Sequence, residues 1–171
     1  MNNYFQETIV QGKILFAEAD DTIYIKGIGH ITAALCTDLK QRLFDKFTET
    51  TGPKEIAVDL KDCSYMDSTF MGLLAGCNRR LEKVSSRKID IYNASESSVK
   101  LLQSMELLKV LNISSGAKDF PDKMEELGVK NSVDPDLVLN THENLMELSE
   151  SNRKKFSTLH ELLKQQIEDS K

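Results

Sequence analysis

Met66-Asp67-Ser68-Thr69-Phe70-Met71-Gly72-Leu73-Leu74 is the stretch on which the reading of this chain turns. It follows an apolar run, Ile56-Ala57-Val58-Asp59-Leu60, and a short polar link, Lys61-Asp62-Cys63-Ser64. It opens an amphipathic segment that continues as far as Val84. An apolar run, a turn, a hydroxyl residue and a helix, in that order, place a serine at a helix N-terminus. There the first backbone N–H groups have no intrahelical acceptor and the helix dipole is positive. A phosphate on Ser68 would be held by both. The position can therefore carry a switchable charge of about −1.5 to −2.

Working outward, Gly12 to Glu18 reads as a strand, Asp20-Asp21 as a turn, and Thr22 to Ile28 as a second strand pairing with the first. Gly29-His30-Ile31-Thr32 ends that strand, and Thr32 is placed to cap a helix with apolar positions Ala34, Leu35, Leu39, Leu43 and Phe47. Thr50-Thr51-Gly52-Pro53 stops it. The run from Ile56 to Leu60 lacks alternation, as a central strand covered on both faces does. The helix opening near Ser68 places Met71, Leu74, Ala75, Asn78 and Leu81 on one face. Ile89 to Tyr92 is a further strand, Ser95 or Ser97 caps a third helix, and Val110 to Ile113 is a short last strand. The order β-β-α-β-α-β-α-β predicts an α/β fold, a mixed sheet with helices packed on it.

Three segments follow from this reading: a domain over 1–115, a connecting segment over 116–135, and an amphipathic helix over 136–171. The connecting segment is punctuated by Gly116, Pro121, Gly128 and Pro135, and a short helix fits Lys123 to Leu127. From Asp136 onward there is neither glycine nor proline, and Leu137, Val138, Leu145, Leu148, Phe156, Leu159, Leu163 and Ile167 recur at helical steps. They predict one helix of roughly thirty residues, longer than an ordinary domain helix. It can fold back over its own domain, or pair with a second copy or a partner, with Asn152 inside the stripe fixing register.

Composition narrows the function. The 171 residues carry a net charge of −5 and 40% hydrophobic residues, as a soluble globular protein does. No basic patch points to nucleic acid, and no run is apolar enough to span a membrane. Residues 1–7 show no signal peptide. Cys36, Cys63 and Cys77 are odd in number and widely spaced, and read as reduced thiols of a cytoplasmic protein. His30, His142 and His160 lie near no cysteine cluster, so no metal site is expected, and no glycine-rich phosphate loop is present. No cofactor is expected.

The stretch from Gly12 to Ser115 resembles a STAS domain, the family of the bacterial anti-sigma factor antagonists. In that family a strand ends in Asp-Ser-[Ser/Thr]-Gly-[apolar]-Gly. Here Asp67, Ser68 and Thr69 match, Phe70 stands at the first glycine, and Gly72 matches the second. Gly29-x-Ile31 and Ser98-Val99-Lys100 are secondary matches. Thr32 replaces a usual aspartate, and Met105-Glu106-Leu107 stands where a glycine is usual. The resemblance implies phosphorylation at Ser68, with Thr69 the competing acceptor. It implies a partner surface of Thr32, Asp67, Ser68, Thr69 and Phe70. By the same resemblance the partner is an anti-sigma factor or related serine kinase, and a metal-dependent serine phosphatase resets the switch.

Each of these residues also has a plainer reading. Ser68 can be a helix N-cap, a role compatible with phosphorylation because a capping hydroxyl already faces the free N–H groups. Asp67 can orient the serine or simply hold the turn. Phe70 can be core, or exposed against a partner. A serine nucleophile would need a histidine base and an orienting third group, and only His30 suggests itself, so no catalysis is expected. The alternative to a phospho-switch is an unphosphorylated interaction module that oligomerises through its C-terminal helix. A third class, a small-ligand sensor, finds no polar cluster in support.

Overall fold

In a computed structural model, residues 11–171 are described; residues 1–7, read above for a leader, lie outside them. β1 (Lys13–Ala19) and β2 (Thr22–Ile31) form an antiparallel hairpin. Asp20 and Asp21 at its turn both take positive φ, 51° and 62°, the geometry that matches the twist of two-residue hairpins. α1 (Ala33–Thr48) leads to β3 (Glu55–Asp59), which lies parallel to the first half of β2. A short β4 (Cys63–Met66) then pairs, also parallel, with the far end of β2. α2 (Ser68–Ser85), β5 (Asp90–Tyr92), α3 (Glu96–Ser104) and β6 (Asn112–Ile113) complete the alternation. The main sheet runs β6-β5-β3-β2-β1-β7, where β7 is Glu125–Glu126.

β2 is the pivot. Its pairing passes from β3 to β4 through an irregularity at Gly29, whose φ is 68°, so the end of β2 bends toward the start of α2. Ile23, Ile25 and Ile31 alternate into the core with Leu35, Leu39, Leu43, Met71 and Leu74 of the helices. Ile56, Ala57 and Val58 of β3 are all buried, as a central strand requires. On the opposite face Phe120 packs edge-on to Tyr24 and Tyr92, with ring centroids 5.3 and 6.0 Å away. The connecting segment thus covers the second face of the sheet. Its residues Glu125–Glu126 form not the expected short helix but a two-residue strand on the open edge of β1. Unpaired edge groups recruit backbone more strongly than so short a helix propagates.

The C-terminal run is divided. α4 spans Pro135–Met146 and α5 spans Glu150–Asp169. Asp134 caps α4 by accepting from Asp136 N, with Pro135 at the first helical position, and Ser149 caps α5 by accepting from Asn152 N at 3.0 Å. The new cap gives the chain a corner without glycine or proline. The two helices pack on each other and α4 packs on α2, so the fold-back reading holds for this hairpin. Asn152, completely buried, donates to Leu145 O and Met105 O instead of setting register between copies.

Candidate functional site

β4 hands over to α2 at Asp67. Asp67 N donates to Ile31 O, which keeps the end of β4 beside the end of β2. The N-termini of α1 and α2 are thereby brought side by side. One carboxylate serves both: Oδ1 accepts from Phe70 N at 3.0 Å, and Oδ2 accepts from Ala33 N at 2.9 Å. Asp67, not Ser68, is therefore the N-cap of α2. It also does for α1 what Thr32 was expected to do. Thr32 stands at the N-cap position of α1 without a side-chain cap bond and is exposed, because the carboxylate already occupies the first-turn N–H. Two positive helix ends meeting on one anion is a favourable arrangement.

Ser68 is then the first residue of α2, with a half-buried side chain. Its hydroxyl is not free. Ser68 Oγ lies 2.9 Å from Nε2 of His142, contributed by α4. His142 is 3% exposed and stacks on Phe156 of α5 at a centroid distance of 4.6 Å. Burial holds its pKa below the usual histidine value, against the opposing pull of Asp67 and with a small reinforcement from His160. The ring is thus neutral near pH 7, and its Nδ1 has no hydrogen-bond partner. Phe70 is 0% exposed and Thr69 is buried, so the ring is core and the second hydroxyl lies inside. The open part of the surface is Thr32 with Tyr65, 43% exposed and 5.5 Å ring to ring from His30.

The structure therefore brings Asp67, Ser68 and the start of α1 together, and turns Phe70 and Thr69 inward. It also supplies a histidine that sequence reasoning did not place there. His30 pairs across the sheet with Tyr65, whereas His142, 74 positions beyond Ser68, makes the contact. Only its place in the apolar stripe hinted at burial. A serine against a neutral imidazole has two members of a nucleophilic constellation. The orienting partner at Nδ1 is missing, so the pair has no defined tautomer for proton abstraction.

The α2–α4 contact is close because α2 offers glycines to it. A Cβ at Gly72 would collide with the backbone carbonyl of Thr141, and one at Gly76 with the side chain of Asn144. Asn144 Nδ2 donates to Gly72 O at 3.1 Å, and Arg79 donates to Asn144 Oδ1 and pairs with Glu147. Buried thiols complete the surroundings: desolvation pushes Cys77 up to about 12 and Cys36 still higher, so both are unreactive.

A parallel-flanked sheet that delivers a serine to the N-terminus of its second helix is the STAS fold. Searched against family models, the chain matches none. Among solved structures it is similar to the anti-sigma factor antagonist SpoIIAA in its unphosphorylated form, with a TM-score of 0.51 and 20% identity, covering 60% of this chain and 89% of that one. The Bacillus cell fate determinant SpoIIAA in the phosphorylated form aligns with a TM-score of 0.49 and 19% identity, over 60% of this chain and 92% of that one. At these identities the likeness is one of fold.

Proposed function

We propose that this chain is a non-catalytic regulatory protein resembling an anti-sigma factor antagonist. It binds an anti-sigma factor or related serine kinase through the surface around Thr32, Asp67 and Ser68, and phosphorylation of Ser68 releases that partner. The observation that carries this reading is the position of Ser68 as the first residue of α2, beside two convergent helix ends. The first amides of a helix have no acceptor within it, and Asp67 takes only that of Phe70 in α2. A phosphate on Oγ meets the remainder. Transfer from ATP moves a phosphoryl group to Oγ and releases ADP and the hydroxyl proton. The added charge faces Asp67, and that repulsion changes the surface a partner reads. A serine phosphatase removes it. Buried Thr69 and Phe70 support the surface from beneath.

The reading is tested by binding. Ser68→Ala locks the partner-bound state and leaves the fold intact; Ser68→Asp weakens binding. Equal binding of both variants and the wild type to the kinase contradicts it. The second reading, an unphosphorylated oligomerisation module, draws on the exposed Leu159 and Leu162 in α5. Incubation with candidate kinases and ATP followed by intact mass separates the two.

A further inference from the structure

The α2 face that carries Ser68 is already occupied, and by a helix of the same chain. From Ser68 through Gly72 and Gly76 to Arg79 the residues lie three and four apart, one continuous strip. Along it α4 sets His142 on Ser68, the Thr141 backbone on Gly72, Asn144 on Gly72 O, and Glu147 on Arg79. A strip without side chains at its two middle positions admits a helix backbone at close range, and its ends supply a hydroxyl and a guanidinium for polar groups of that helix.

The seated hairpin is also imperfectly satisfied. The buried side-chain atoms without a hydrogen-bond partner among the described residues are Thr37 Oγ1, His142 Nδ1 and Asn152 Oδ1. Two of the three belong to the hairpin, one against α2 and one at the α4–α5 corner. A buried polar atom left without a partner lowers the stability of the packing that buries it. The tether allows release. Up to Lys130 the connection stays with the sheet, through Phe120 on Tyr24 and Tyr92, β7 on β1, buried Leu127 and the bond from Lys130 N to Ala34 O, and the exposed residues 131–134 are the hinge from which the hairpin lifts.

We propose that this strip of α2 is a helix-docking surface, that α4 is its occupant in cis, and that the partner displacing it presents an amphipathic helix with an amide and a carboxylate placed as Asn144 and Glu147 are. The inference rests on the reading of Ser68 as the switch residue: a kinase reaches Oγ, and a partner reaches the strip, only when the hairpin has lifted.

Thiol labelling tests it in the full chain. Cys36, Cys63 and Cys77 are buried, so Ser68→Cys gives one reporter on a quiet background. Its reaction with a bulky maleimide is expected to be slow. It is expected to accelerate at least about tenfold when α4 is wedged off by Gly72→Leu, or α5 is unanchored by Asn152→Ala, as local opening becomes easier. Hydrogen exchange of the β3 amides, unchanged, shows that the sheet has not melted. Rapid labelling in the Ser68→Cys chain alone overturns the inference, because the strip is then open. Slow labelling in all three chains, with both added substitutions folded, also overturns it, because the hairpin is then a fixed wall. The assay contains no kinase, so absence of phosphate at Ser68 in cells defeats the switch reading without altering these rates.

Discussion

Asp67 shows how much one side chain can organise. Its two oxygens end two helices that no sequence spacing connects. Asp67→Ala should cost roughly 2 kcal/mol, about 1 for each lost cap, read as a lower urea midpoint at unchanged slope. Glu106 is the converse case. It sits at φ 63° after α3, in the left-handed region that favours glycine, where the sequence lacks the family's usual glycine. Glu106→Gly should raise stability by ~0.5–1 kcal/mol despite the greater freedom of glycine in the unfolded chain. His142 makes the site sensitive to pH. Its folded pKa is depressed by burial, so the folded state binds fewer protons than the unfolded one at mildly acid pH. The stabilisation is complete above the ordinary histidine pKa and is lost as pH falls below it. Asp67 opposes this shift, His160 reinforces it, and Glu143 faces His160 across 2.8 Å. Corrected for the intrinsic exchange rate, the protection of the α4 amides should fall between pH 7 and pH 5, and His142→Gln should remove most of that change.

At the scale of elements, the glycines of α2 carry a sharper expectation. In an exposed helix Gly→Ala is stabilising by roughly 0.5–1 kcal/mol. At Gly72 the added methyl meets the Thr141 carbonyl, so Gly72→Ala should instead destabilise, by about 1–3 kcal/mol, in thermal unfolding of the full chain. Most of the alternation from β1 to β6 was legible in the sequence, because each buried face is set by period two or period 3.6 and each helix start is marked by a hydroxyl or acid. What was illegible had short or remote causes. β4 is four residues in a polar link, and it forms because β2 bends at Gly29 to meet it. β7 is two glutamates whose pairing is decided by the edge of β1. The corner at Glu147-Leu148-Ser149 has no glycine or proline, although Ser149 followed by Asn152 could have been read as a cap. At the site, Asp67 and Ser68 announced themselves by their place after an apolar run. His142 did not, since nothing local ties it to a residue 74 positions earlier.

At the scale of the whole molecule, the sheet, α1 and α2 deliver a serine to two helix N-termini, and the C-terminal hairpin lies across it. Among the described residues no helix is long and apolar enough to cross a membrane, and no cluster of His, Cys, Asp and Glu could hold a metal ion. What the arrangement offers is a serine hydroxyl at a helix N-terminus beside an exposed surface. The most direct measurement is phosphosite mapping, by mass spectrometry, of the full-length protein recovered from its own cells across growth conditions. The account predicts a phosphate on Ser68 whose occupancy varies with condition, and no modified peptide after Ser68→Ala. An unmodified Ser68 in every condition, with the peptide spanning it well observed, would contradict it.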